Sequence, residues 1–188
     1  MAEARTERHG LSASLHGALA ASVVAALAVF AAQSGNAAEQ DPIRIAVFDF
    51  ELDDRSAGGG ITGQDATDTE NLKSATEEAR RMLAASGRYS VVDAASVAHE
   101  VLSAGGVQQL EGSEAGLARK LGADQSLVGV VTRVSRTEYT LQILVRDARS
   151  GAAVSNDFTG LRMGANYAWP RGVKWLMDNR ILSAQRAP

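Results

Sequence analysis

Extended and helical patterns alternate along the chain in the order β-α-β-α-α-β-β-β-α, and this order constrains the fold more than any other feature. The first strand, IRIAVFDF at 43–50, is almost continuously apolar, which is typical of a strand covered on both faces. The last three strands are predicted at 127–134, 138–147 and 152–158, and their short connections favour antiparallel pairing. We therefore predict an α/β (α+β) fold, a single mixed β-sheet of about five strands packed by about four helices.

The first helix is predicted to follow a long loop. Residues 51–68 contain acids, turn formers and consecutive glycines without any period, and such loops are usually functional or mobile. Thr67 and Glu70 then have the spacing of a capping box, and Gly87 is a suitable helix terminator.

The remaining patterns complete one domain. They are a strand at 89–92, helices at 94–104 and 113–121, and a C-terminal helix with Trp169, Val173, Leu176 and Met177 on one face. No repeat or linker divides the chain, so we expect residues 39–188 to form a single domain with its core at 43–182.

The first 38 residues have the pattern of a secretory signal peptide. An uncharged apolar stretch at 18–32 follows a start with two arginines and precedes a run of small residues. This stretch is shorter than the about 20 residues that a membrane-spanning helix needs. Cleavage after Ala37 or Ala38 would release a periplasmic protein without a membrane span. An uncleaved N-terminal anchor is the competing interpretation.

The chain has no cysteine, and outside the predicted signal its one histidine is His99. Disulfides, thiolate metal sites and covalent haem attachment are therefore excluded, and a zinc site of the usual kind lacks ligands. A Ser-His-Asp triad would depend on His99, which lies in a predicted helix, and the chain has no serine-elbow motif. An enzymatic function is disfavoured and no cofactor is predicted, although carboxylate chemistry stays open.

Charge is unevenly distributed around a formal net charge of −3. Residues 39–70 carry nine acids and two bases, a net −7, whereas residues 161–188 carry five bases and one acid, a net +4. This asymmetry indicates a dipolar surface that can orient a partner. The chain is not basic enough to predict nucleic-acid binding.

The acidic, glycine-rich stretch at 51–70 is where a small ligand or cation would bind. Gly58, Gly60 and Gly63 match a GxGxxG pattern, but seven residues separate them from the strand and the helix starts after them, unlike a dinucleotide site. The carboxylates available to a hard cation are Asp49, Glu51, Asp53, Asp54, Asp65 and Asp68, with Glu70 beside them. Their spacing does not match an EF-hand, so a solvated acidic loop and a cation site are both open.

Aromatic and basic residues near the C-terminus suggest a surface for a protein partner. Trp169 belongs to the apolar stripe of the last helix and is expected in the core. Trp175 lies off that stripe and, with Tyr167, Arg171 and Lys174, is a candidate anchor of the kind that protein interfaces use. Packing of Trp175 in the core or a crevice is the alternative.

Several segments carry a family resemblance, namely IAVFDF at 45–50, LAASGRY at 83–89, LGAD at 121–124, VGVVT at 128–132 and LVRD at 144–147. They resemble the N-terminal domain of the TolB family, and the layout over roughly 43–182 is similar to that of CsgG-type and LpoB-type modules. The chain is also similar to a family of uncharacterised secreted proteobacterial proteins whose last helix starts with a sequence like WPRG, here at 169–172.

This resemblance implies an α/β domain for protein contact in the envelope, with no catalytic residue, near quinoprotein alcohol dehydrogenase systems. The chain departs from it in lacking a lipid-anchoring cysteine and in having LEGS at 110–113, where relatives carry a cysteine pair. We therefore predict a non-enzymatic periplasmic accessory module that binds an envelope protein. The alternative is a periplasmic protein that binds a small ligand or cation through residues 51–70.

Overall fold

The computed structural model describes residues 41–57, 63–162 and 168–183. The chain divides into two compact units, Met1–Gln40 and Asp41–Pro188, and all described residues belong to the second. The predicted signal peptide, residues 58–62 and Tyr167 lie outside the described residues. Among the helices of the described ranges, none combines the length and the apolar character that crossing a membrane requires.

Six strands form one mixed sheet, which confirms the predicted fold class. They are β1 (Ile43–Val47), β2 (Glu51–Asp54), β3 (Tyr89–Asp93), β4 (Gln125–Arg133), β5 (Glu138–Asp147) and β6 (Ala153–Arg162). The strand order is β3-β1-β4-β5-β6, and β2 also pairs with β4. Pairing is parallel among β1, β2, β3 and β4, whereas β4, β5 and β6 form the predicted antiparallel series.

Helices cover the two faces of the sheet unequally. The helices are α1 (Ala66–Ala85), α2 (Ala98–Ser103), α3 (Glu114–Lys120) and α4 (Ala168–Leu176), with 3-10 turns at Ala95–Val97 and Val107–Leu110 and a π-helical turn at Met177–Ile181. On the first face, α1, α4 and the π-helical turn pack over the sheet in the larger core cluster. On the second face, α2, α3 and the 3-10 turns form a smaller cluster.

A bulge interrupts the first strand and creates β2, which the sequence did not predict. Ile45 is opposite Gln125, whereas Glu51 is opposite Val130, so residues 48–50 face only two residues of β4. Three residues against two is the arrangement of a β-bulge. The prediction of a loop from residue 51 is therefore wrong for 51–54, because an acidic segment continues the strand beyond the bulge.

Contacts with α1 and β4 hold the bulge in place. The hydroxyl of Thr76 accepts a hydrogen bond from the Phe50 amide at 2.9 Å, and Arg80 donates to the Val47 carbonyl at 3.0 Å. The Phe50 ring lies against Gly129 so closely that a Cβ on this glycine would be 2.4 Å from three ring atoms. These contacts join residues far apart in sequence, so no local pattern reveals them.

The start of α1 also differs from the prediction. Its N-cap is Asp65, whose carboxylate accepts from the Asp68 amide at 2.8 Å, while the Asp68 carboxylate accepts from the Asp65 amide at 3.2 Å. The predicted capping pair of Thr67 and Glu70 is therefore wrong by two residues. Aspartate fills both positions of the observed box, which the usual Ser/Thr and Glu/Gln pattern does not include.

Candidate functional site

The described residues cover only half of the second face of the sheet. Along β5, the first-face side chains alternate as buried residues, whereas Thr140, Gln142, Leu144 and Arg146 on the second face are half-buried. On β6, the second-face side chain of Phe158 is 59% exposed. Among the described residues, the main helix contacts of β5 and β6 are made by α4 and the π-helical turn, which belong to the first face. We call the uncovered surface of β5 and β6 the open half-face.

A groove lies where the segment 107–114 meets the open half-face. Its volume is about 220 Å³. The floor consists of second-face residues of β4 and β5. The rim consists of β2, Arg55 and the segment 107–114. The lining residues are Asp53, Arg55, Val107, Gln108, Glu111, Gly112, Glu114, Val128, Val130, Thr132, Gln142, Leu144 and Arg146.

Paired charges line part of the groove. Glu114 is buried, and its Oε1 lies 2.9 Å from Nε of Arg146, although not in hydrogen-bond geometry. Arg146 also donates to the Gly151 carbonyl at 3.0 Å, and Asp53 pairs with Arg55 at 2.6 Å on the rim. These pairs neutralise two acids and leave the aliphatic floor as the main contact surface.

Glu111 is the exception on the rim. It is exposed, it has a left-handed backbone with φ of 46°, and its carboxylate has no partner among the described residues. A non-glycine residue in this conformation carries a steric cost, which the surrounding structure must hold in place. The groove therefore presents one unpaired negative charge at its edge.

Glu51 holds the segment that forms the rim. Its carboxylate accepts from the backbone amides of Val107 at 2.5 Å and Gln108 at 3.2 Å. Gly106, with φ of 111°, allows this approach, since a Cβ there would be 2.8 Å from Oε1 of Glu51. Glu51, a predicted metal candidate, therefore joins β2 to the wall of the groove.

The other predicted cation ligands are distributed among separate contacts. Asp49 pairs with Arg80 at 2.9 Å, Asp53 with Arg55, Asp54 and Asp68 with Arg133, and Asp65 caps α1. The described residues contain no group of three or more His, Asp or Glu side chains arranged to hold a metal ion. Acids that are close in sequence are thus separated by the alternation of β2 and by the turn into α1.

Arg133 forms a polar cluster between the strands and α1. Its side chain is 12% exposed and donates to Asp54 at 2.8 Å, to Asp68 and to the Tyr139 hydroxyl at 3.0 Å. The hydrogen bond with Asp68 raises the pKa of Arg133. Hydrogen bonds from the Ser56 hydroxyl, from the Ser56 backbone amide and then from Arg133 hold the pKa of Asp54 below its ordinary value, against the effect of burial. The sequence analysis missed this cluster, and its residues are too far apart in the chain to form a motif.

A separate crevice of about 410 Å³ lies beside the carboxyl ends of β1 and β3, between α1 and α2. Its apolar walls include Phe48, Phe50 and Leu72, and Leu102 near it is 76% exposed. Glu51 and Gln64, from the described parts of the stretch 51–70, also line it. Crevices at the carboxyl ends of parallel strands are frequent ligand sites in open α/β sheets.

Of the predicted partner residues, Arg171, Lys174 and Trp175 lie on the C-terminal helix and outside the groove, and Tyr167 lies outside the described residues. Trp169 is 3% exposed and packs against Tyr139, with ring centroids 5.8 Å apart, which confirms its place in the core. Trp175 is 44% exposed, with the Arg180 guanidinium 5.7 Å from its ring centroid. Lys174 pairs with Asp178 at 2.6 Å, and Arg171 is exposed. None of these residues is among those lining the groove.

The residues that do form the groove floor and the open half-face were missed by the sequence analysis. In β5 the polar and apolar positions alternate, and this pattern correctly predicts the buried first face but does not indicate what covers the second. Leu144 breaks the alternation as an apolar residue on the polar face, and it was the one signal that could have indicated a contact surface.

A family model described as "Protein of unknown function (DUF2380)" matches residues 43–181. The comparison with curated proteins found no match. The chain is also similar to solved structures, among them the LpoB C-terminal domain from Escherichia coli, with 18% identity, 73% of this chain and 94% of that chain covered and a TM-score of 0.45.

Lipoprotein GNA1162 from Neisseria meningitidis is similar with 17% identity, 78% of this chain and 99% of that chain covered and a TM-score of 0.45. A PelC dodecamer from Paraburkholderia phytofirmans is similar with 19% identity, 70% and 79% coverage and a TM-score of 0.39. The expected likeness to LpoB-type modules is thus among the findings, whereas none of these structures bears the TolB name or that of a quinoprotein system. Similarity of this degree carries no argument about function.

Proposed function

The chain belongs to the family whose model matches residues 43–181, DUF3280, and we propose that it is a non-enzymatic module that binds an envelope protein through the groove on its open half-face. The observation that carries this proposal is a sheet face that is half covered by helices and half exposed. An apolar floor of Val128, Val130 and Leu144 with a polar and charged rim has the anatomy of a protein interface. At about 220 Å³ the groove is smaller than most small-molecule sites, which span about 300–1,000 Å³.

The chemistry of the groove supports a binding role over a catalytic one. Among the described residues that line it, there is no histidine and no serine, and the only hydroxyl belongs to Thr132. The rim carboxylate of Asp53 and the buried one of Glu114 each lie beside an arginine. Both carboxylates are therefore engaged in ion pairs at the groove.

The location belongs to the same proposal. Residues 1–38 are proposed to be a signal peptide that is cleaved after Ala37 or Ala38, so that the single domain 39–188 acts in the periplasm. The finer proposal, an accessory role in a quinoprotein alcohol dehydrogenase system, rests on the sequence resemblance alone. The likeness to a TolB N-terminal domain likewise stays a prediction.

Site-specific photocrosslinking in the native host tests the interaction. A photoreactive phenylalanine derivative at Leu144, on the groove floor, should give one adduct of defined mass with an envelope protein. The same derivative at Glu77, which is exposed on α1 at the first face, is the matched control. Glu111→Arg should reduce the yield at Leu144 by reversing the unpaired charge. Equal labelling from both positions, or no adduct at Leu144 in well-folded protein, would contradict the proposal.

A second candidate function is the binding of a small ligand or cation beside residues 51–70, and the crevice is the observation that favours it. Its volume of about 410 Å³ falls within the usual range for ligand sites. However, Asp49 is paired with Arg80, and Glu51 is bound to two backbone amides. Thermal unfolding with calcium, a lanthanide or a quinone tests this candidate, since a ligand that binds only the folded state must raise the transition temperature. An unchanged transition temperature with all three ligands would contradict this candidate function.

A further inference from the structure

Strand β6 ends the sheet and has one neighbour among the described strands, β5. An edge strand presents unpaired backbone N–H and C=O groups, and proteins usually protect long edges with proline, lysine or a bulge. The sequence of β6, AVSNDFTGLR, contains neither proline nor lysine. Its pairing with β5 is irregular only near Val145 and Arg146, so the part from Ser155 onward is a regular strand.

Two exposed residues on this regular part have complementary shapes. Phe158 is 59% exposed on the second face, and Gly160 lies two residues further on the same face. A Cβ built on Gly160 meets nothing within 4 Å, so none of the described residues occupies the space above this glycine. Inside the molecule, the Phe50 ring already covers Gly129 in a neighbouring strand. The edge thus carries both halves of a Phe–Gly contact that the fold uses elsewhere.

We infer that β6 pairs antiparallel with β6 of a second copy of this chain, about a two-fold axis at Thr159. In this register Phe158 of each copy stands opposite Gly160 of the other, and residues 156–162 pair throughout. Asp157 stands opposite Leu161, and the two copies of Asp157 are about 13 Å apart along the strand at about 3.3 Å per residue. This separation exceeds the Debye length at physiological salt, so their repulsion is largely screened.

The neighbouring register, centred on Phe158, is less favourable on two counts. It leaves Gly160 uncovered, and it brings the two copies of Asp157 within two residue positions of each other. The Thr159 register also places two threonines opposite each other, which is a stabilising cross-strand pair. The dimer would extend the sheet across both copies and bring their open half-faces to the same side.

Single cysteine substitutions test this arrangement, because the chain contains no cysteine of its own that could form a competing disulfide. In the Thr159 register, the Cα atoms of position 159 in the two copies are about 5 Å apart, within disulfide range. Thr159→Cys should therefore form a covalent dimer under mild oxidation. Asn156→Cys is the matched control, since its two copies would be about 20 Å apart and should not link. Equal yields from both variants, or a link through Phe158→Cys in preference, would overturn the inference.

Sedimentation of the unlabelled protein gives a second measurement. The parent protein should show a concentration-dependent dimer, and Phe158→Lys should weaken it about tenfold or more by removing both Phe–Gly contacts. Val134→Lys, which changes another exposed apolar residue outside β6, should not. A parent protein that stays monomeric at every concentration refutes the dimer. Because neither Phe158 nor Thr159 lines the groove, crosslinking at Leu144 reports on the proposed function separately.

Discussion

The contact between Phe50 and Gly129 makes a quantitative prediction about how β4 accepts the bulged strand. Replacing Gly129 by alanine would place a Cβ 2.4 Å from the Cδ2, Cε2 and Cζ atoms of the Phe50 ring. Both residues belong to the packed first-face core, where Phe50 is 3% exposed, so the ring can yield only by disturbing its neighbours. Gly129 does not have a positive φ, so the cost of the substitution is steric.

The magnitude follows from two opposing effects. Overpacking a core costs about 1–3 kcal/mol, whereas replacing a strand glycine by alanine returns about 0.5–1 kcal/mol of backbone entropy. Gly129→Ala should therefore destabilise the fold by about 0.5–2 kcal/mol. Phe50→Ala alone should cost about 3–5 kcal/mol. In the Phe50→Ala background the clash is gone, and Gly129→Ala should become neutral or stabilise by up to about 1 kcal/mol.

Urea unfolding of the parent, the two single variants and the double variant measures this coupling as a double-mutant cycle. Gly160→Ala is the matched control on β6, where the added Cβ meets nothing within 4 Å, and it should not destabilise. If Gly129→Ala proves as harmless as Gly160→Ala, or costs the same in both backgrounds, the close-contact reasoning fails.

Three further predictions test other parts of the structure. Asp65→Ala should lower the free energy of unfolding in urea by about 1 kcal/mol, because it removes the N-cap of α1, whereas Thr67→Ala should change it little. A larger loss for Thr67→Ala than for Asp65→Ala would instead support the cap predicted from sequence. The lowered pKa of Asp54 means that its stabilisation is present above its unfolded pKa of about 4 and is lost as the pH falls through the lower folded value. The difference in unfolding free energy between the parent and Asp54→Asn should accordingly shrink below about pH 4, and a difference independent of pH would contradict this. Mass spectrometry of the exported protein should find an N-terminus at Ala38 or Glu39, and an intact leader would show the uncleaved anchor instead.

The sequence predicted the helices and strands that a short-range hydrophobic period identifies. The apolar stripe of the last helix identified Trp169 as core, and the alternation in β5 correctly identified its buried face. The order of strands and helices was sufficient for the fold class. These successes share one cause, which is that each depends on residues within a few positions of one another.

The failures depend on contacts between distant residues. Strand β2 has the composition of a loop, and only pairing with β4 makes it a strand. The acids grouped as possible cation ligands face different directions, because Glu51 and Asp53 lie on the second face while Asp54 meets Arg133 on the first. The alternation within β5 does not predict how many helices lie on the second face or where they lie, so it could not reveal that this face is partly exposed.

The extra residue at 48–50 also fixes the phase of everything that follows it in β2. Because of it, Leu52 joins the first-face core while Glu51 reaches the amides of the groove wall. If the same residues paired with β4 as a regular strand without the bulge, the two sides would be exchanged, so that carboxylates would enter the core and Leu52 would face the wall. Deleting one residue within this short span should instead straighten the strand and keep both sides of β2 in place, because two residues would then face two residues of β4.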